Sequence, residues 1–438
     1  MNAVVIAVVV MLVLSLCRVN VVFALIIGAL FGGIVGGLGV NATVGAFSAG
    51  VGGGADIALS YALLGGFAVA ISHAGLPKWL VENLLKVVGR EGDSRRKALS
   101  KTLIIFVIFV TACFSQNVIP IHIAFIPLLI PPLLYIMNEL QLDRRLIACV
   151  LTFGLTAPYI LLPVGFGQLF QQILVDNISK NGLNIEIADI AAPMLIPVAG
   201  MFLGLLFAVF ISYRKPRQYN SSTSAKEEEK EGYQMWGVIF SIVAIFVTMI
   251  VQIATDSMVF GAISGIAVLY VSRSISWRQS DALFTKGMQM MAFIGFTMIA
   301  ASGFAEVLEQ TGDIEKLVHN AANLIGNHQS IGALLLLVVG LLVTMGIGSS
   351  FSTIPIIASI FVPLSLELDF SPIATICIVG TAAALGDAGS PASDSTLGPT
   401  AGLNADLQHN HIWDSCVPTF LHYNIPLILF GWLAAMIL

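Results

Sequence analysis

Gly386-Asp387-Ala388-Gly389-Ser390-Pro391-Ala392-Ser393-Asp394-Ser395-Thr396-Leu397-Gly398-Pro399 follows directly on an apolar run, Ile373 to Leu385. Two carboxylates, four hydroxyls and helix-breaking Gly and Pro are costly at membrane depth. Irregular backbone is tolerated there only where it is buried in protein or lines a cavity, which makes the stretch a candidate for handling ions or polar solutes.

The rest of the chain supplies the membrane. Hydrophobic residues make up 57% of 438 and charged residues 10%, against roughly 25% charged in a soluble domain. Val19 to Val40, Met194 to Ser212 and Leu334 to Ile347 are apolar over most of a crossing. At about 20 residues per crossing, the chain reads as an all-α polytopic membrane protein with roughly 10 to 12 spanning or half-spanning segments. The first run starts almost at Met1, lacks a basic flank and is followed at once by a second, so a permanent helix is expected rather than a cleaved signal. No basic arm invites nucleic acid, and the bilayer is the expected partner. Cys17, Cys113, Cys149, Cys377 and Cys416 are scattered without a CxxC pair and read as small core residues. No Gly-x-x-x-x-Gly-Lys-Ser/Thr phosphate loop is present, so energy is expected from an ion gradient.

A charged, flexible stretch at 214–233 divides the chain near its midpoint and reads as a cytoplasmic linker. The flanking halves, 1–213 and 234–438, resemble each other in three places in the same order. Gly66-Phe67-Ala68 answers to Gly295-Phe296-Thr297, Phe114 to Pro120 answers to Ser349 to Pro355, and Thr152 to Pro163 answers to Thr381 to Pro391. Pro77 to Lys101 holds seven basic and three acidic residues, whereas its counterpart Ala305 to Ser330 holds four acidic residues and one Lys. Arg144 and Arg145 follow the first polar break, Glu367 and Asp369 the second. The positive-inside rule places each first member in the cytoplasm and each second outside, which predicts two inverted-topology repeats with both termini outside. Inverted repeats with paired broken helices point to a secondary transporter. Lys78, Glu82 and Lys86 share one face of an expected interfacial helix. Asp56 is expected to start a helix over 57–72. Gly28, Gly32 and Gly36 read as helix-packing positions.

Four interruptions carry the candidate chemistry. Ser115, Gln116 and Asn117 form the first, and Gly348, Ser349, Ser350, Ser352 and Thr353 its mate. Neutral oxygens and freed carbonyls suit a hard cation, and helix ends suit an anionic solute. The third contains Thr156, Pro158 and Pro163 and no carboxylate. Its mate is the opening stretch, with Asp387, Ser390, Ser393, Asp394 and Thr396 as candidate ligands and Gly389 and Pro391 as breakers. Asp394 reads equally as a helix cap, whereas Asp387 is the expected coupling carboxylate. Na+ is expected at Asn117, Ser352, Thr353 and Asp387, with Na+ or H+ as coupling ion and no other cofactor. His122, His409, His411 and Asp414 are candidate proton-relay residues, although a hydrated loop is the simpler reading of the last three.

Gly389 to Gly402, followed by His409-x-His411-Ile-Trp-Asp414-Ser-Cys-Val-Pro-Thr-Phe420, resembles the bacterial Na+/H+ antiporter family of the ion transporter superfamily. Within it the chain is most similar to a branch that includes proteins described as histidine or amino-acid permeases. The resemblance implies scaffold helices at 1–73, transport parts at 101–178 and 332–414, and a last first-half helix at 191–212. It also implies re-entrant hairpins, a homodimer, elevator-like movement, residence in the bacterial inner membrane, and Ser115, Gln116, Asn117, Ser350, Ser352 and Thr353 as ligands. A cation-coupled transporter is therefore expected. Its cargo would be a small ion alone, by antiport, or a small amino acid such as histidine, by symport. A passive channel and an intramembrane aspartyl protease are the minor alternatives. The latter needs a second mid-membrane Asp, which the first half lacks.

Overall fold

In the computed structural model, the described residues are 2–76, 79, 94–117, 125–220, 234–255, 257–314, 316–317 and 328–438. Long apolar windows cannot leave backbone groups unpaired in lipid, so each closes its own hydrogen bonds as a helix. In chain order these are α1 Ala3–Leu16, α2 Val21–Val35, α3 Gly39–His73, α4 Ser94–Asn117, α5 Phe125–Glu139, α6 Arg144–Leu161, α7 Phe166–Lys180 and α8 Ala191–Phe207, which a π turn extends over Ala208–Ser212. The second half holds α9 Met235–Thr255, α10 Met258–Val271, α11 Trp277–Thr311, α12 Gln329–Ile347, α13 Ser350–Glu367, α14 Pro372–Ala384, α15 Asp394–Leu403 and α16 His411–Ile437, the last with π turns at His411–Cys416 and Phe420–Asn424. Among the described residues there is no strand. Among the described residues eight helices are long and apolar enough to cross a membrane, and five shorter apolar ones accompany them. Polar side chains mark several starts: Asn2, Asn20, Asp143 and Ser371 accept the first free N–H groups of α1, α2, α6 and α14. Phe23, Phe31, Phe106, Phe210 and Phe246 point outward, as lipid-facing side chains do.

Two 35-residue helices, α3 and α11, run antiparallel against each other. Small residues let their backbones meet. A Cβ on Gly54 would sit 2.7 Å from Met298 O and from Ile299 Cα, and one on Gly50 would sit 2.6 Å from Ser302 O. We expect Gly54→Val to cost at least about 1–3 kcal/mol through overpacking, read as loss of the monodisperse peak when detergent-extracted protein is sized. Gly28, Gly32 and Gly36 receive Phe304, Leu308 and Thr311 from α11, so they are packing positions as read. Because α3 starts at Gly39, residue 56 is interior to it and starts no helix. The Lys78–Glu82–Lys86 face lies outside the described residues. Cys149, Cys377 and Cys416 are buried as expected, but Cys17 is exposed just past α1.

Arg144, Arg145, Arg217, Asp406 and Asp414 gather at the end where α16 begins. At its far end Ser371 donates to Leu438 O (2.9 Å), Trp432 donates to Ser330 O (2.9 Å), and Gln329 donates to Leu368 O (2.7 Å). The basic pair after α5 and the start of the linker therefore share one end of the molecule, and Glu367 and Asp369 belong to the other.

Candidate functional site

The opening stretch is a break between two short helices, α14 and α15. Leu385 turns the chain into extended backbone, and Gly386 (φ +86°) and Gly389 (φ +95°) take left-handed conformations. Glycine is required at both for space as well as angle. A Cβ at Gly386 would lie 2.9 Å from Met345 N, and one at Gly389 would lie 2.6 Å from Phe420 Cβ. Side chains satisfy the freed backbone. Gly386 N–H donates to Asn424 Oδ1 (3.0 Å), and the Asn424 amide donates to Ala388 O. Thr396 Oγ1 donates to Ser390 O (2.5 Å), and Ser390 Oγ lies 3.4 Å from Met345 O. Ser393 caps α15 by accepting the Ser395 N–H, so the cap falls one residue before Asp394. Asp394 is instead the first helical residue, and Tyr61 OH reaches it at 3.3 Å from α3.

Asp387 is the centre of a buried network. Its Oδ1 accepts from Ser393 Oγ (2.5 Å) and its Oδ2 from Tyr159 OH (2.8 Å). Tyr159 OH also lies 3.0 Å from Ser350 Oγ. A phenol has one hydrogen and an ionised carboxylate none, so Tyr159 donates to Asp387 and accepts from Ser350. Ser395 Oγ donates to Asp387 O (2.9 Å), and Thr152 Oγ1 donates to Ser395 O (2.8 Å). The Tyr159 ring packs against Phe170 (5.1 Å between centroids) and Phe351 (5.7 Å), and Phe166 meets Phe351 edge-on at 5.2 Å. Three elements separated in sequence thus converge on one carboxylate: α6, the start of α13 and the α14–α15 break.

The second hairpin turns at Gly348 (φ +76°) and Ser349, between α12 and α13. Its tip faces the break, since a Cβ on Gly348 would lie 3.2 Å from Ala392 O. Ser350 joins the network, whereas Ser352 is exposed and Thr353 Oγ1 is committed to Ser349 O (2.8 Å). At the end of α4, Ser115 is buried and donates to Ala112 O (2.9 Å) inside its own helix. The side chains of Gln116 and Asn117 and the whole of His122 lie outside the described residues. Of Ser352, Thr353 and Asp387, the described side chains expected at Na+, only Asp387 sits in the network. Among the described residues no group of three His, Cys, Asp or Glu converges on a metal position.

The third break lies later than the sequence suggests. α6 continues through Thr156 and Pro158 to Leu161, with Thr156 Oγ1 on Thr152 O (2.7 Å). Nearly every residue of α6 is buried, and that packing outweighs the local cost of Pro158. The chain departs from helix only at Leu162 to Gly165, around Pro163, with Gly165 at φ +58°. Gln171 donates to Ile160 O (3.3 Å), one of the carbonyls released there.

Sequence reasoning missed Tyr159, Asn424 and Tyr61. Tyr159 lies within 152–163, where Thr156, Pro158 and Pro163 point to a break and the phenol gives no local signal. A tyrosine in a buried helix needs a partner for its hydroxyl, and a buried aspartate needs donors, so matching the two would have found it.

The His409–Asp414 segment folds against the back of the break. His411 Nε2 lies 2.9 Å from Pro391 O and its Nδ1 lies 2.8 Å from Thr400 Oγ1. His409 Nε2 lies 2.7 Å from Ser415 Oγ. Burial pushes the imidazole of His409 down to about 3, with Arg144 also opposing its charge and Asp414 favouring it, so the ring is neutral at physiological pH. Asp414 accepts from Arg217 (2.7 Å) and from the Asn410 N–H (2.9 Å), a structural pairing at the end of the molecule.

A model of the Na+/H+ antiporter family matches residues 150–432, and a model of a Na+-H+ antiporter family matches residues 2–88. A Bacillus subtilis (strain 168) protein named "Putative amino acid transporter YuiF" is 59% identical over 444 residues, covering 100% of both chains. An uncharacterized membrane protein of Vibrio parahaemolyticus is 56% identical over 442 residues, again covering 100% of both. Among solved structures, the Alcanivorax borkumensis YdaH transporter aligns with 89% of this chain and 86% of its own, at 14% identity and a TM-score of 0.42.

Proposed function

The chain belongs to the Na+/H+ antiporter family and is a membrane transporter, and we propose that it exchanges Na+ for H+ at Asp387. The observation that carries this reading is the network itself: a buried carboxylate at a helix break, facing a hairpin tip, with neutral hydroxyls as its partners. On one face of the membrane the carboxylic acid of Asp387 releases its proton and the carboxylate takes Na+. On the other face Na+ leaves and a proton returns. One negative site serves both ions, so neither crosses without the other, and Tyr159, Ser350 and Ser393 supply the oxygens around it. Asp394, which accepts from Tyr61 OH, is the second carboxylate of the break. This reading carries with it inverted repeats split at 214–233, a homodimer, elevator-like movement, and an inner membrane with both termini outside.

Symport of a small amino acid is the second reading. The name of the Bacillus relative favours it, as does α13. That helix starts at the tip with no side-chain cap, leaving N–H groups for a substrate carboxylate. Purified protein in liposomes separates the two. With an imposed proton gradient and no organic solute, a Na+ pulse is expected to dissipate the gradient. Counterflow of labelled histidine without any proton signal overturns the exchange reading in favour of symport.

A further inference from the structure

The backbone that carries Asp387 rests on α16 at its second π turn, Phe420–Asn424. Gly389 packs against Phe420 at the start of the turn, and on the other side a Cβ on Gly204 of α8 would collide with His422 O. Three successive buried side chains then reach three different elements. His422 Nε2 lies 2.8 Å from Ser212 Oγ in the π turn that ends α8, Tyr423 OH donates to Cys149 O of α6 (2.5 Å), and Asn424 meets the break. A π turn holds one residue more than an α turn, so it swings the side chains that follow by roughly 100° about the helix axis. The bonds of His422 and Tyr423 fasten α16 to two neighbours immediately before Asn424.

Asn424 is wholly buried, and both ends of its amide bond to the break. Its Oδ1 accepts from Gly386 N–H (3.0 Å), and its Nδ2 donates to Ala388 O. An N–H only donates and a carbonyl only accepts, so the orientation of the amide follows without a choice. The two groups it holds lie on either side of Asp387. Among the described residues no other hydrogen bond reaches either of them.

The carboxylate itself has little slack. Tyr159 OH reaches it from α6 at 2.8 Å, and a displacement of the 386–388 backbone by about 1 Å away from α6 takes that bond out of range. We infer that Asn424 is a positioning residue for the ion site: by bracketing the backbone on both sides of Asp387, it sets where the carboxylate meets Tyr159. The amide suits the task because it offers a neutral acceptor and a neutral donor side by side. This rests on the reading of Asp387 as the ion site.

Exchange by the full-length protein in liposomes tests this, with Na+ pulsed against an imposed proton gradient. Asn424→Leu removes both bonds, and its KM for Na+ should rise about tenfold or more with a smaller change in kcat. Should that variant fail to fold, Asn424→Ala takes its place, because the room it leaves admits a water that can pair with both backbone groups. A water is not fixed to α16, so the same rise in KM is expected. Asn424→Asp is the conservative variant. In that enclosed place its side chain is a neutral acid, with an acceptor and a donor where the amide had them, and its KM should stay within about threefold of wild type. A purely structural role would lower stability without linking Asn424 to Tyr159, and the double variant with Tyr159→Phe reads that link. Once the backbone has moved, the Tyr159 bond is already lost, so kcat/KM of the double variant should lie within about threefold of the worse single variant. Single effects that multiply to within about twofold overturn the inference. So does an Asn424→Leu or Asn424→Ala protein with unaltered KM, or an Asn424→Asp protein as impaired as they are. Absent Na+ flux in the wild type removes the ion site and this inference with it. Flux that Asp387→Asn abolishes and the Asn424 variants leave unchanged removes this inference alone.

Discussion

Asp387→Asn is expected to reduce Na+-driven proton movement in liposomes to the leak of protein-free vesicles, with the protein still folded and monodisperse. Asparagine has nearly the same volume, so the glycine turns at Gly386 and Gly389 and the Asn424 bonds to the break are kept. The chemistry is not kept. An amide neither releases a proton near neutral pH nor offers Na+ a negative charge, so the two ions no longer compete for one site. One of its polar atoms also becomes a donor, while Ser393 and Tyr159 both donate to Asp387 in the native protein. Tyr159→Phe makes the contrast. It removes one donor to the carboxylate and unpairs Ser350, but it leaves the charge and the Ser393 bond. Losing a hydrogen bond to a charged group costs about 1.5–3 kcal/mol, so Tyr159→Phe should lower kcat/KM roughly tenfold or more and leave exchange measurable. Undiminished Na+-driven proton flux in Asp387→Asn would remove Asp387 from the mechanism. Equal loss in both variants would mean that the network serves packing rather than ion exchange.

The parts of this site that were legible in sequence are those where residue type alone carries a physical cost. A polar break inside an apolar run is such a case, and Asp387, Ser390, Ser393 and the left-handed glycines were all readable from it. The hairpin turn was readable for the same reason, because Gly348 and Ser349 interrupt a long apolar run. What was hidden depends on partners brought from elsewhere in the chain. Thr156 and Pro158 looked like a break because proline is locally unfavourable in a helix, yet burial of α6 on nearly every side carries the helix through them. Tyr159 bonds to a residue 228 positions away, which no local pattern reports. Ser352 and Thr353 have the right oxygens, but the helical turn of α13 leaves the first exposed and bonds the second to its own backbone. Asp394 missed the cap by one residue because Ser393 supplies the accepting oxygen first. In the sequence Arg144 is legible as a topological charge, and only the fold shows that it is fully buried.

Arg144→Met should lower stability by about 3–5 kcal/mol, the range for breaking a buried ion pair from one side. The guanidinium donates twice to Asp406 (2.6 Å each), once to Leu403 O (2.8 Å) and once to Asn138 Oδ1 (3.0 Å), and it stacks on Tyr219 at 4.3 Å. Its removal leaves a partly buried carboxylate with Gln408 as its remaining donor and strands the last carbonyl of α15. Asp406→Asn should cost a comparable amount, because the charge it strands is wholly buried. The double variant Arg144→Met with Asp406→Leu should recover part of the loss, since no unpaired charge is then left inside. The pH dependence follows from Asp406. Burial alone would raise its carboxyl, but the hydrogen bonds and charge of Arg144 outweigh that and hold it below the usual carboxylate range. A folded value below the unfolded one, which is about 3.9, gives stability that is present above that pH and is lost as pH falls through the folded value. The gap in melting temperature between wild type and Arg144→Met, measured in detergent, should therefore be constant from about pH 5 upward and close only in stronger acid. A gap that narrowed near pH 7 would show that the pair is not what holds α15 to α6. Since α15 carries the break at its other end, the same pair anchors the backbone that presents Asp387, and Arg144→Met should impair exchange even at temperatures where it remains folded.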